Sequence, residues 1–140
     1  MKRPALTVDV VAIAGSPPAA VLLIERANPP FAGAWALPGG FVEEGERVAE
    51  AAARELAEET GVTAGPLELL GVYDTPRRDP RGWTVSVVYL LRAESRLEAS
   101  GADDAREARW FSLDDLPALA FDHAEVVADA VSCAVRGRRT

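Results

Sequence analysis

Apolar and polar residues alternate from position 7 and then merge into the apolar run Val10-Val11-Ala12-Ile13-Ala14, and a second apolar run fills 20–24. Gly15-Ser16-Pro17-Pro18 separates them, so two antiparallel strands joined by a turn are expected over 7–14 and 20–24. After Arg26 the stretch Asn28-Pro29-Pro30-Phe31-Ala32-Gly33 is loop material, and the short apolar piece Trp35-Ala36-Leu37 is stopped by a sharp turn at Pro38-Gly39-Gly40. From 47 to 60 there is neither proline nor glycine, alanine and glutamate dominate, and Gly61 stands where a left-handed C-cap belongs; this predicts a helix. Residues 67–73 and 84–92 are rich in β-formers and flank a polar insert, 74–82, which predicts two strands with a long functional loop between them. A further short strand is expected over 108–111. Asp122 is placed to N-cap a last helix whose Val126, Val127, Ala130, Val131 and Ala134 recur at helical spacing. The order β-β-β-α-β-β-β-α predicts an α/β fold, a sandwich with a helix on each side of a central mixed sheet.

With 140 residues, 49% of them hydrophobic, the chain has the size and apolar content of one domain with a sizeable core. A single cysteine, Cys133, excludes an internal disulfide framework, and no N-terminal targeting pattern is present, which together suggest a reduced cytoplasmic protein. No apolar run reaches the roughly 18–20 residues of a membrane helix. The net charge of −7 argues against a surface that coats nucleic acid, a task for clustered Lys and Arg. Binding phosphates through metal ions remains open to an acidic protein.

On the 47–60 helix, Ala49, Ala52, Ala53, Leu56 and Thr60 fall on one side, the expected core face, with Glu55, Glu58 and Glu59 as a rim beside it. Glu55 repels both Glu58 and Glu59, at roughly 0.2–0.5 kcal/mol per like-charged pair, and acids in the last turn also oppose the helix dipole. Carboxylates gathered against local rules are what a hard, oxygen-loving cation requires. A solvated acidic face, with Arg54 bridging Glu50 and Glu58, explains the same helix without a metal. Gly39-Gly40 would let backbone approach a ligand closely and offer a carbonyl to a metal.

Gly40, five residues, Glu46, seven residues, then Arg54-Glu55-Leu56-Ala57-Glu58-Glu59-Thr60-Gly61-Val62 resembles a complete Nudix box, with the preceding Trp35-Ala36-Leu37-Pro38-Gly39 also similar to that family. The resemblance implies the Nudix α/β/α sandwich with a central mixed sheet over 1–140 as one domain, and hydrolysis of a diphosphate linkage in a small nucleotide. It implies magnesium, with manganese as an alternative, held by Glu55 and Glu59 as principal ligands, by Glu58, and by the Gly39 carbonyl. Arg54 would orient a glutamate, and Glu46 would bind Arg54, reach a metal-bound water or serve as a favourable charge at the helix start. A general base would come from the box, where Glu55 and Glu58 stand, or from a loop holding Asp103, Asp104 and Glu107.

Arg26, at a strand end, could clamp a phosphate bidentately. The insert Asp74-Thr75-Pro76-Arg77-Arg78-Asp79-Pro80-Arg81-Gly82 resembles a loop of ADP-ribose-hydrolysing members, as does Ala120-Phe121-Asp122-His123. Within it Arg81, beside the flexible Gly82, is the expected substrate contact. His123 reads as a helix-start residue with a structural hydrogen bond, and Phe31, Trp35 and Trp83 as core aromatics or faces for a base. The resemblance implies an ADP-ribose pyrophosphatase yielding AMP and ribose 5-phosphate. Hydrolysis of an oxidised nucleoside triphosphate or a dinucleoside polyphosphate, and non-catalytic sensing of ADP-ribose, are the alternatives. The partner is then a small nucleotide, with no nucleic acid and no membrane, and a homodimer is expected.

Overall fold

This computed structural model describes residues 2–63, 65–101 and 105–136. The elements run β1 (Ala5–Ala14), β2 (Ala20–Arg26), β3 (Trp35–Ala36), β4 (Gly39–Phe41), α1 (Val48–Thr60), β5 (Glu68–Tyr73), β6 (Thr84–Ala93), β7 (Ala105–Ser112) and α2 (His123–Arg136). All the strands join one mixed sheet. β1 pairs in parallel with β6 along its whole length, from Ala5 opposite Thr84 to Ala14 opposite Ala93, and the other pairings are antiparallel.

The second edge of β1 is divided between two strands. β2 pairs there only at Ile13 with Val21 and Ala14 with Ala20, while β4 takes Thr7, Val8 and Asp9. β3 meanwhile pairs with Ile24 and Glu25 of β2. The segment 35–41 is therefore a wedge between two diverging strands, and where it crosses, Val10 N–H donates to the Pro38 carbonyl at 2.9 Å. That fork is the opening in which the functional cleft lies. The sequence pattern predicts only a turn at 38–40, because glycine is a weak strand former; the free edge of β1 recruits Gly39–Phe41 as a strand all the same.

Because β1 is covered on both faces, it reads as a near-continuous apolar run. Val11 and Ile13 join Leu23, Leu90, Val126, Val127 and Ala130 on the α2 side, whereas Val8, Val10 and Ala12 join Leu22, Ala51, Ala52 and Leu56 on the α1 side. Leu22, Leu23, Leu56 and Leu90 are fully buried, and truncating any of them to alanine should cost about 2–5 kcal/mol.

α1 begins where the Glu50 carboxylate accepts the Arg47 N–H at 3.0 Å, and ends with Gly61 at φ 77° donating to the Ala57 carbonyl. Its buried residues are Ala51, Ala52, Leu56, Glu59 and Thr60, while Ala49 and Ala53 are exposed. The core face is thus rotated from the expected one. Alanine has too little apolar area to fix the phase of a helix, and the inward stripe carries an acid where it meets the cleft. α2 buries Val126, Val127, Ala130 and Ala134 as its spacing predicts. Among the described residues no helix is long and apolar enough to cross a membrane.

Candidate active site

The wedge brings backbone and carboxylates into contact. Gly39 N–H donates to Glu59 Oε1 at 2.8 Å, and Glu59 is buried although ionisable. A methyl group at Gly40 would overlap the Glu55 carboxylate, and one at Gly39 would overlap the Val8 carbonyl and Asp9 Oδ1. The two glycines are therefore the condition for packing acidic side chains against the strand. Glu55 and Glu59, one helical turn apart, line the same cleft as Gly39, Gly40 and Phe41.

Arg54 organises the rim. It donates from Nε to Glu46 at 2.7 Å, from NH1 to Glu55 at 3.1 Å and Glu58 at 3.0 Å, and from NH2 to the Phe41 carbonyl at 3.1 Å. The hydrogen bond to Glu46, more than any other contact, raises its pKa against the opposing effect of burial. The same bond, aided by the Glu43 N–H, holds Glu46 below the ordinary carboxylate range. The spacing of Glu46 from Arg54 is thus the spacing that ties the 41–46 loop to α1. Arg54 does bridge to Glu58, but Glu50 is engaged at the helix start instead.

A second polar group closes the opposite wall. Asp9, buried in β1, accepts from Ser86 Oγ at 2.6 Å and lies 3.6 Å from His123 Nε2. His123 Nδ1 accepts the Leu37 N–H at 3.0 Å, the structural hydrogen bond expected of it, and burial pushes its pKa below the ordinary value. Arg78, with a side chain 5% exposed, grips Asp122 through two hydrogen bonds of 2.9 and 2.6 Å. The Asp122 carboxylate, expected as a helix cap, is thereby directed to the insert.

Of the residues singled out from the sequence, Arg26, Gly39, Glu55, Glu59 and Arg81 meet in this cleft. Arg26 donates from Nε to the Pro30 carbonyl at 2.7 Å and sits 5.1 Å from the Phe121 ring centre, so it also braces the 28–33 loop. Arg81 pairs with Asp79 at 2.8 Å and lies near the rings of Phe41 and Phe121. Burial favours protonation of Asp79, but its hydrogen bonds from Arg81 outweigh this and hold its pKa low. Glu58 stands on the exposed rim, joined to Glu55 through Arg54. Glu107 does not line the cleft; it lies on β7 with its carboxylate paired to Arg109 at 3.0 Å. Asp103 and Asp104 lie outside the described residues. Trp35 packs edge-on against Phe111 beside the core, and Trp83 is exposed.

Asp9 escapes the sequence reading, and Arg78 enters it only as one of three arginines of the insert, with Arg81 preferred as the contact. A carboxylate inside the run Val8-Asp9-Val10-Val11 is a legible signal, because a buried charge needs a partner. Arg78 carries no such mark beside Arg77 and Arg81.

The donor set fits a hard divalent cation. Among the described residues no three acidic, His or Cys side chains converge on one point. Magnesium, however, is commonly held by one or two carboxylates together with water and substrate phosphates. Glu55 and Glu59, lining one cleft with Gly39 and Gly40, match that requirement.

The profile described as NUDIX domain matches residues 3–130. An ADP-ribose pyrophosphatase of Methanocaldococcus jannaschii is 52% identical over 109 residues, covering 78% of this chain and 64% of that enzyme. The NUDIX domain of Shewanella oneidensis NrtR, solved as a complex with ADP ribose, superposes with a TM-score of 0.86 at 34% identity, over 94% of this chain and 89% of that one. A bifunctional NMN adenylyltransferase/ADP ribose pyrophosphatase from Francisella tularensis, complexed with AMP and a Mn ion, gives a TM-score of 0.83 at 30% identity over 96% of this chain and 43% of its own. The chain spans less than two thirds of the length of the first curated relatives it matches.

Proposed function

The chain belongs to the NUDIX domain family, and from that premise we propose that it hydrolyses a nucleoside diphosphate derivative, ADP-ribose before others, with magnesium as the divalent ion. The observation that carries this reading is the cleft itself, which Glu55, Glu59, Arg26 and Arg81 line together with Gly39 and Gly40. The 52% identity to an enzyme named ADP-ribose pyrophosphatase supports the choice of substrate.

Glu55 and Glu59 would hold the cation with the Gly39 carbonyl, and Glu58 would contribute from the rim. When bound, the cation neutralises the diphosphate oxygens and makes a water molecule more acidic. Arg54 keeps Glu55 from swinging away, and the Gly39 N–H does the same for Glu59. Arg26 and Arg81 attract the diphosphate and orient it. Water adds to one phosphorus as the P–O–P bridge breaks, giving AMP and ribose 5-phosphate. Glu55 takes the water's proton, since among Glu55, Glu58 and Glu107 it alone lines the cleft; Asp104 would be its rival. The test is an assay of the purified protein with magnesium on ADP-ribose, an oxidised nucleoside triphosphate and a dinucleoside polyphosphate in parallel. The expected result is AMP release with the highest kcat/KM for ADP-ribose. A higher value on either comparison substrate overturns the choice, and tight binding of ADP-ribose without turnover would make the protein a sensor.

The same reading includes a cytoplasmic location, supported by the unpaired Cys133. It also includes a homodimer, supported by Leu69 and Val72, which stay exposed on the edge strand β5. Light scattering that gives a monomer at micromolar concentration would remove the dimer.

A further inference from the structure

We propose that a second cleft, beside the first and sharing Arg78 and Phe121 with it, seats the purine base of the substrate. The assignment rests on the nucleotide reading above and adds to it a site for the part of the molecule that is not hydrolysed. This cleft lies between the 28–33 loop and the 74–82 insert, with a volume of about 430 Å³, within the range of small-molecule sites. Phe31, Phe121, Pro76 and Pro80 form its walls, and Thr75 and Glu125 add polar groups.

Chemistry divides the two clefts. The first is lined by Arg26, Arg81, Asp79, Asn28, Thr7 and Thr84, groups suited to phosphate and sugar oxygens. The second offers rings and prolines, which suit the face of a planar base, beside Arg77 and the mutually paired Arg78 and Asp122, and a carboxylate at Glu125 that can accept from an exocyclic amine. Phe31 and Phe121 meet edge to face, with centroids 4.9 Å apart, so Phe121 braces Phe31 from the side while Phe31 remains 44% exposed. Phe121 lines both clefts. A nucleotide with its phosphates over Glu55 and Glu59 can therefore extend into the second without leaving the protein surface.

Backbone conformation gives an independent reason. Among the described residues, the non-glycine positions with positive φ are Phe31 at 63°, Arg77 at 67° and Phe121 at 54°. All three line the second cleft. Holding bulky side chains there costs on the order of 1–3 kcal/mol each, and such strain gathers where a ligand is clamped. Core packing does not account for it at Phe31, whose ring stays open to solvent.

The test uses the metal-free 140-residue chain and two probes, AMP and ribose 5-phosphate, followed by amide shifts in heteronuclear NMR. AMP should shift Phe31, Thr75 and Glu125 saturably, and ribose 5-phosphate, which lacks a base, should not. Phe31→Ala should weaken AMP binding about tenfold or more, the size of one lost base stack. Phe31→Gly keeps the left-handed backbone without strain, so it separates loss of the ring from distortion of the loop, and it should weaken AMP equally. Both variants should raise the KM for ADP-ribose more than they lower kcat. AMP shifts confined to Arg26, Gly39, Gly40 and Arg81, or an AMP affinity indifferent to both substitutions, overturn the assignment. Hydrolysis of ADP-ribose by the wild type is measured separately. Turnover without AMP at Phe31 defeats this inference alone, whereas AMP at Phe31 without turnover defeats the proposed substrate and leaves the base site standing.

Discussion

Glu59 accepts the Gly39 N–H while buried at the end of α1, a position at which local rules favour a cation. Glu59→Gln keeps an oxygen for that N–H and removes only the charge. Turnover of ADP-ribose should fall at least about a hundredfold, the loss of several kcal/mol of transition-state stabilisation. Repulsion with Glu55 disappears as well, so the metal-free variant should melt no lower than the metal-free wild type. Turnover within about threefold of the wild type would take Glu59 out of the metal site. Arg81 differs in that its guanidinium is half exposed in the cleft and already paired with the buried Asp79. A charged hydrogen bond is worth roughly 1.5–3 kcal/mol, so Arg81→Ala should lower kcat/KM for ADP-ribose about tenfold to a hundredfold. Magnesium dependence should not change. An equal loss on a nucleoside triphosphate would reduce Arg81 to general phosphate attraction.

At the level of elements, the glycine turn, α1 and the insert depend on one another. A methyl group at Gly40 meets the Glu55 carboxylate, so Gly40→Ala should displace that side chain and weaken magnesium binding about tenfold to a hundredfold in calorimetric titration, with the fold intact. Unchanged affinity would mean that Glu55 is not a ligand. The box was legible because its residues are local in sequence: Glu46 reaches Arg54, and Arg54 reaches Glu55 and Glu58, within a few turns of chain. The opposite wall was not, because Asp9, Ser86, Arg78 and His123 come from β1, β6, the insert and α2, which only the sheet brings together. His123 gives that wall a pH signature. Its folded pKa lies below the ordinary 6.5 because burial disfavours the imidazolium, so the unfolded chain binds a proton that the folded one refuses. This contribution is intact above about pH 6.5 and is lost as pH falls below it, by up to about 1.4 kcal/mol per pH unit. Urea unfolding between pH 7 and 5 should show that loss in the wild type and less of it in His123→Gln, whose amide oxygen can still accept from Leu37. Parallel slopes would show that His123 is not the group responsible.

Across the whole molecule, the sheet sets the carboxylates of α1 against a wall whose acids are already paired with Arg78 and Arg81, so the excess negative charge of the cleft lies on the α1 side. The chain carries a net charge of −7, and two carboxylates of α1 sit against glycine backbone in the cleft. Repulsion of this kind weakens the folded state only while the cleft lacks a counter-ion, so metal binding and folding are linked. A ligand present at about a hundred times its Kd stabilises the folded state by about 2.7 kcal/mol. Magnesium should therefore raise the melting temperature by several degrees, since each kcal/mol is worth on the order of 3 °C for a domain of this size. The diffuse charge of the surface complicates the experiment, because any salt screens it over roughly 8–10 Å. Sodium chloride at matched ionic strength separates the two effects: screening acts on all acids alike, whereas coordination needs Glu55 and Glu59 together. The wild type should gain clearly more from magnesium than from sodium chloride, and Glu59→Gln should gain about the same from each. If sodium chloride reproduces the full magnesium shift in the wild type, the acidic cluster on α1 is a solvated face and not a cation site.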